Sequence, residues 1–393
     1  MSDRCFFFAG GGTGGHIYPA IAVAEQIAKI EPTARIHFFC STRPIDGRIL
    51  GQTHFDYRAL PAKGFSVRPR KLIDFYKSFR KSYSTAKEVI GESWNSVVVG
   101  SGGFVSAPVC WAAHKCRVPV ALINVDIVPG RANRLITRWA DEVFVQFEET
   151  ARYFARPRVF RRESGRRAGQ GKSASGRLAP KVSVVGCPLR SGFANPQPDE
   201  AIRQLGLDSH KKILLVTGAS SGSQNINSAV CALLEKLDAF AEDWQVVHLA
   251  GQNNYERVYS YYRDVKIQYK VLSYFDDMAN LLAAADVVIG RSGAVSVAEY
   301  AAAAVPSICI PYPYHKDRHQ YLNAGKLVEV GAAVIVDDVP DEKDQAEWLW
   351  EELQKLMEDQ KTRQVMAEGG KIVANRQAEL KIAETLLEMA SNT

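Results

Sequence analysis

Short apolar runs alternate with stretches of helical periodicity along the whole chain. The runs fall at 4–9, 35–40, 96–100, 118–123 and 142–146, and resume at 181–185, 212–216, 244–250, 270–272, 285–289, 307–310 and 332–336. Because they are apolar throughout rather than at alternate positions, they predict strands buried on both faces. Between them, residues such as Ala20, Ile21, Val23, Ala24, Ile27 and Ala28 recur at helical spacing. The expected fold class is therefore α/β, with two doubly wound, Rossmann-like domains facing across a cleft. The periodicity breaks over 186–198, at Gly-Cys-Pro-Leu-Arg and then Asn-Pro-Gln-Pro. The expected domains are 1–190 and 191–370, with a terminal helix at 371–393 packing back toward the first domain. Most of 342–389 reads as amphipathic helix.

Four of the runs end in glycine and then enter a helical pattern. Residues 9–20 read Ala-Gly-Gly-Gly-Thr-Gly-Gly-His-Ile-Tyr-Pro-Ala, with His16 at the lip of the turn. The others are Gly100-Ser101-Gly102-Gly103, Gly218-Ala219-Ser220-Ser221-Gly222-Ser223 and Gly290-Arg291-Ser292-Gly293. Such turns let backbone approach a ligand and leave free N–H groups at a helix start for an anion. The first is not a phosphate-binding lysine loop, because His16 and Ile17 stand where lysine and a hydroxyl are needed. Nor is it a dinucleotide fingerprint, since the following strand ends in Ser41-Thr42 without a ribose-binding acid. Two such turns per domain predict ligands at the carboxyl ends of the strands.

The chain has 393 residues, 46% hydrophobic and 23% charged, and a net charge of +6. That length points to more than one core. No window reaches the roughly 18 apolar residues of a membrane span, and 5–9 is too short for a secretory h-region. Seven scattered cysteines without Cys-x-x-Cys pairs point to reduced thiols in a cytoplasmic protein. Residues 156–181 are rich in Arg, Lys, Gly and Ser. They read as a disordered basic surface loop, a solvated insertion before a membrane or nucleic-acid contact. No nucleic-acid partner is expected. Asp276-Asp277 precede Met278, Leu281 and Leu282 and read as a helix cap rather than a metal pair. Lys316-Asp317-Arg318 reads as a local salt-bridged turn.

Several motifs in this order carry a resemblance. They are Gly11-Gly12-Thr13-Gly14-Gly15-His16, Gly102-Gly103-Phe104-Val105-Ser106, Pro129-Gly130 with Asn133-Arg134, Arg291-Ser292-Gly293-Ala294 through Glu299, and 315–320 with Asn323-Ala324. Together they resemble the MurG family of bacterial GT-B glycosyltransferases over essentially the whole chain. The resemblance implies transfer of GlcNAc from UDP-GlcNAc to a polyprenyl-diphosphate-linked MurNAc-pentapeptide, converting lipid I to lipid II. It implies an acceptor-side first domain, a donor-side second domain, and work at the cytoplasmic face of the bacterial inner membrane as a peripheral protein. Carried onto this sequence, Ser220 would meet the donor diphosphate, Arg190 matches a family arginine at the donor site, Phe275 would hold uracil through its backbone, and Glu299 would accept from the ribose hydroxyls. The helix start Ala294, Val295, Ser296, Val297 and Ala298 would border the donor. His319 and Gln320 would read the sugar, and Thr13, Gly14 and Gly15 would flank it. The family pattern His-Glu-Gln-Asn before Pro-Gly stands here as Ile123-Asn124-Val125-Asp126, so Asp126 falls where the family has asparagine. That change leaves open a different lipid acceptor, or donor binding without turnover.

An inverting transfer needs a base for the acceptor hydroxyl. His16 has the fitting chemistry and Asp126 is the second candidate. No cofactor and no catalytic metal are expected, since loop N–H groups and helix dipoles can stabilise the departing UDP. Over 64–90, Phe65, Leu72, Ile73, Phe75, Tyr76, Phe79 and Tyr83 interleave with Arg68, Arg70, Lys71, Lys77, Arg80, Lys81 and Lys87. The pattern suits either a core-facing amphipathic helix or one lying on an anionic membrane, and a polyprenyl acceptor favours the membrane.

Overall fold

The structure is a computed structural model and describes residues 4–64, 68–154, 179–219, 222–375 and 377–391. The chain divides into two compact units, Met1–Pro188 with Gln377–Thr393, and Leu189–Arg376. The division at Pro188 and Leu189 assigns Arg190 to the second unit.

In chain order the first unit runs β1 (Cys5–Ala9), α1 (Gly14–Ile30), β2 (Arg35–Ser41), α2 (Pro44–Leu50), β3 (Asp56–Leu60) and α3 (Pro69–Gly91). It continues β4 (Ser96–Gly100), α4 (Gly103–Cys116), β5 (Val120–Asn124), α5 (Arg131–Ile136), β6 (Glu142–Val145), α6 (Glu148–Phe154) and β7 (Lys181–Val184). The strands form one parallel sheet in the order β3-β2-β1-β4-β5-β6-β7. Phe6, Phe8, Val97, Val98 and Val99 are fully buried, as continuous apolar runs covered on both faces should be. β3 was not expected from the pattern. Its sequence, Asp-Tyr-Arg-Ala-Leu, is polar, and only Leu60 is buried, because this is an edge strand exposed along most of its length.

The second unit holds α7 (Pro198–Leu205), β8 (Lys212–Thr217), α8 (Gln224–Ala232), α9 (Leu234–Leu237), β9 (Trp244–Leu249), α10 (Tyr255–Tyr261), β10 (Gln268–Leu272) and α11 (Met278–Ala284). Then come β11 (Val287–Gly290), α12 (Ala294–Ala303), β12 (Ser307–Cys309), α13 (His319–Val328), β13 (Ala333–Ile335), α14 (Glu342–Glu358) and α15 (Gln360–Val373). Its parallel sheet runs β10-β9-β8-β11-β12-β13. The last helix, α16 (Ala378–Ser391), belongs to the first unit, where it packs on α1 and β4.

The order of strands explains where the glycines lie. In the first sheet the chain reverses its direction of travel between β1 and β4, and in the second between β8 and β11. The four glycine turns are the loops leaving these four strands. Each unit thus places two backbone-rich turns at the carboxyl edge of its switch point, where open α/β sheets bind ligands.

Candidate active site

In the first unit, β1 delivers the chain into residues 10–13, and α1 begins at Gly14 without a side-chain cap. Its first N–H groups are left to water or a ligand. Thr13 is exposed, Gly14 buried and Gly15 intermediate. His16 stands in the first turn of α1, half-buried, with Nδ1 3.1 Å from the Gly11 carbonyl and 3.4 Å from Thr13 Oγ1. The ring lies against the second turn. A Cβ on Gly102, whose φ is +112°, would stand 2.7 Å from His16 Cδ2. Ser106, fully buried, ties that turn together by donating to Ala9 O at 2.6 Å and accepting from Gly102 N at 3.0 Å.

What holds the first turn in place carries no signal in the sequence. Asp46 in α2 is fully buried, and its carboxylate accepts from Gly12 N at 2.9–3.0 Å, Ser41 N at 2.9 Å and Ser41 Oγ at 2.6 Å. Arg43 Nη1 donates to Gly12 O at 2.7 Å. A lone aspartate in a short helix carries no periodic signal. Only the absence of an exposed role for a charge beside Ser41 could have marked it.

Beyond β5, the segment at 123–126 is held from within. Asn124 Nδ2 donates to Asp126 O at 2.7 Å, and Asn133 Nδ2 in α5 donates to Asn124 Oδ1 at 2.8 Å. Asp126 is half-buried. Ile123 and Val125 are buried among the core side chains, which accounts for their apolar type.

In the second unit three of the expected donor residues, Arg190, Phe275 and Glu299, come together. Arg190 Nη1 donates to the Asp276 carbonyl at 2.9 Å, next to the buried Phe275, and Nη2 lies 3.4 Å from Glu299 Oε1. Burial pushes the Glu299 carboxyl up from its ordinary value, and Arg190 opposes that shift. Asp277 caps α11 by accepting from Asn280 N at 3.3 Å and Asn280 Nδ2 at 2.6 Å, as the sequence indicates. The start of α12 has no side-chain cap. Ala294, Val295 and Val297 are buried and Ser296 and Ala298 intermediate, so backbone N–H groups and the Ser296 hydroxyl are what this helix start can offer a ligand. Ser220 lies outside the described residues, as do residues 156–178 of the basic loop and Phe65.

The turn before α13 departs from expectation. Asp317 pairs with His319 Nδ1 at 2.7 Å, not with Lys316 or Arg318, and Arg318 lies over the Tyr321 ring at 4.3 Å. Burial would push Asp317 up, but the hydrogen bond from His319 and its charge hold the carboxyl below the usual value. The His319 ring also stacks on His315. Gln320 Oε1 accepts from Tyr312 N at 3.0 Å. A second residue set unforeseen in a structural role is Arg291. It is buried, paired with Asp338 at 2.6 Å, and donates to Ile310 O at 2.9 Å and Ser223 Oγ at 2.7 Å, bridging the second unit's two glycine turns.

Paired glycine turns at two switch points define a two-unit α/β protein whose backbone N–H groups lie where open sheets bind ligands. The family model described as glycosyltransferase family 28 N-terminal domain matches residues 6–145, and that of the C-terminal domain matches 213–386. A UDP-N-acetylglucosamine–N-acetylmuramyl-(pentapeptide) pyrophosphoryl-undecaprenol N-acetylglucosamine transferase of Halothermothrix orenii is 33% identical over 341 residues, 84% of this chain and 85% of that one. The like-named protein of Caldanaerobacter subterraneus is 32% identical over 386 residues, covering 96% and 97%. Among solved structures, Acinetobacter baumannii MurG matches with a TM-score of 0.67 at 22% identity over 98% and 99% of the chains. A Neisseria meningitidis UDP-GlcNAc 2-epimerase matches at 0.66 and 15% over 98% and 100%. These two likenesses show the fold. The chain is a glycosyltransferase in architecture and profile. It belongs to the MurG family of N-acetylglucosamine transferases.

Proposed function

We propose that this chain transfers GlcNAc from UDP-GlcNAc to the MurNAc 4-hydroxyl of an undecaprenyl-diphosphate-linked pentapeptide, forming lipid II from lipid I. The carrying observation is 32–33% identity over 84–96% of the chain to transferases of that name, together with convergence of Arg190, Phe275 and Glu299 in one place. In this reading the ribose hydroxyls donate to the Glu299 carboxylate, uracil pairs with backbone at Phe275, and Arg190 turns toward the diphosphate. Ser220 and the uncapped N–H groups at 294–296, the first turn of α12, serve the same anion. His319 and Gln320 read the sugar hydroxyls, with Thr13, Gly14 and Gly15 on the transferred sugar. The bond from the anomeric carbon to UDP breaks as the acceptor oxygen bonds on the opposite face. The acceptor proton passes to His16 Nε2, and UDP leaves as an anion stabilised by N–H groups and Arg190, without a metal. Asp126 is the second candidate for the proton. No cofactor is required beyond the donor.

The protein would act from the cytoplasmic face as a peripheral protein. Among the described residues no helix is long and apolar enough to cross a membrane. Helix α3 exposes Leu72, Ile73 and Tyr76 beside Arg70, Lys71, Lys77, Arg80 and Lys81, while Ser78, Ser82, Ala86 and Ile90 are buried on its other face. An apolar stripe between cations fits an anionic leaflet. Ile73→Glu should abolish sedimentation with anionic vesicles while sparing turnover of a short-chain soluble acceptor. Unchanged sedimentation would refute this docking face.

The central test is turnover of UDP-GlcNAc with a lipid I analogue. Wild type is expected to form the disaccharide, His16→Ala to lose about two orders of magnitude, and Asp126→Asn to lose less. Donor binding without transfer to lipid I would overturn the proposal. A greater loss for Asp126→Asn would move the base to Asp126.

A further inference from the structure

Asp46 and His16 grip opposite sides of one peptide group. The amide joining Gly11 to Gly12 presents its N–H to the Asp46 carboxylate at 2.9–3.0 Å and its carbonyl to His16 Nδ1 at 3.1 Å. In a trans amide these two groups point in opposite directions, so the carboxylate, amide and imidazole form a single line of hydrogen bonds. A carbonyl only accepts, so His16 Nδ1 must carry the proton in this bond. The proton on Nδ1 makes Nε2 the ring's lone-pair nitrogen, and among the described residues Nε2 has no protein hydrogen-bond partner.

We infer that Asp46 is a positioning residue for the transfer, fixing His16 as its Nδ1–H tautomer through the Gly11–Gly12 peptide so that Nε2 faces the acceptor hydroxyl. Three observations favour this over a carboxylate that merely closes a turn. First, the charge is fully buried and has no cationic partner in any ion pair described, so its compensation comes from the N–H and O–H donors alone. A buried carboxylate is expensive unless such donors converge on it. Second, an ionised acceptor on the N–H polarises the amide and strengthens its carbonyl as an acceptor, since hydrogen bonds in series reinforce one another away from water. Third, Arg43 Nη1 holds the next carbonyl, Gly12 O, so the turn is fixed on both sides of Gly12 and the strengthened carbonyl cannot swing away from the ring. Such a line does through one amide what a directly bonded aspartate does for histidine in hydrolytic triads.

The inference rests on His16 being the base, and its test separates the two claims. The ¹⁵N ring spectrum of His16 in the full-length protein, recorded where the imidazole is neutral, reports the tautomer without any turnover. Wild type should show the Nδ1–H form, and an Nε2–H form there would overturn the inference even if every Asp46 variant failed to fold. Asp46→Asn places an amide NH₂ among donors that need an acceptor. It should give a mixed tautomer and a kcat about tenfold lower, with the Kd for UDP-GlcNAc unchanged. Asp46→Glu, which keeps the charge, should recover part of the kcat and the tautomer. Loss of activity with the Nδ1–H form intact would reduce Asp46 to a structural role. Full activity in His16→Gln would refute the base itself, and with it the catalytic part of this inference.

Discussion

At the scale of single residues, the first unit's site is built by what is missing as much as by what is present. His16 can lie flat against the second glycine turn because Gly102 has no Cβ, and that turn needs a φ of +112° that side chains resist. Gly102→Ala should therefore displace the imidazole while leaving Arg190 and Glu299, which belong to the second unit, undisturbed. The expected result is kcat/KM down about tenfold or more with the Kd for UDP-GlcNAc within error of wild type, read by steady-state kinetics and calorimetry. Unchanged kinetics would mean that the ring position seen here is not the one used in transfer. Asp46 illustrates the opposite limit. Its importance lies in four short contacts to backbone and one serine, none of which a sequence advertises.

At the scale of elements, legibility follows burial. The continuous apolar runs at 96–100, 212–216 and 285–289 correspond to β4, β8 and β11, central strands whose residues must be apolar on both faces. β3 escaped notice for the converse reason, since an edge strand exposed at Asp56, Tyr57, Arg58 and Ala59 has no need of an apolar run. The glycine turns were legible because glycine is selected by backbone geometry. Local charge order suggests Lys316 and Arg318 as partners for Asp317, and only the turn geometry selects His319. Between β9, α8 and the residue following α10 lies one more polar device. His248, fully buried, lies 3.0 Å from both Asn227 Oδ1 and the Tyr262 hydroxyl, while Asn227 Nδ2 donates to Ala250 O at 2.9 Å. Burial pushes the His248 imidazole down to about 3. The unfolded chain takes up this proton near the ordinary value of about 6.5, so between there and about 3 the unfolded state binds more protons. Stability from this site is fully present above about 6.5 and falls as pH drops toward 3, by an order of a few kcal/mol. Chemical denaturation of wild type and His248→Gln across that range should show a shallower pH dependence in the variant. Parallel curves would assign the acid sensitivity elsewhere.

At the scale of the whole molecule, chain order and structural order differ at the end. The second unit is bracketed by the first, because α16 returns to pack on α1 and β4 after α15 has closed the second unit against α12, α13 and α14. Helix α16 buries Ala378, Ile382, Ala383, Leu386 and Ala390 in the first unit. Arg4 Nη2 also donates to Ser391 Oγ at 2.9 Å near its end. Removing two large and three small apolar side chains from that core costs on the order of 5 kcal/mol, which approaches the entire stability of an ordinary domain. None of the groups converging on Arg190 and Glu299 lies in the lost segment. A chain ending after Arg376 should therefore lose the first unit's cooperative unfolding transition and its transferase activity together. It should still bind UDP-GlcNAc with a Kd within a few-fold of the full chain, because the groups proposed to hold the nucleotide are carried by the second unit. Calorimetric unfolding together with titration of UDP-GlcNAc would decide this. If the truncated chain kept both unfolding transitions, α16 would be dispensable packing. If it kept the first transition but lost the nucleotide, the proposed division of donor binding to the second unit would be wrong.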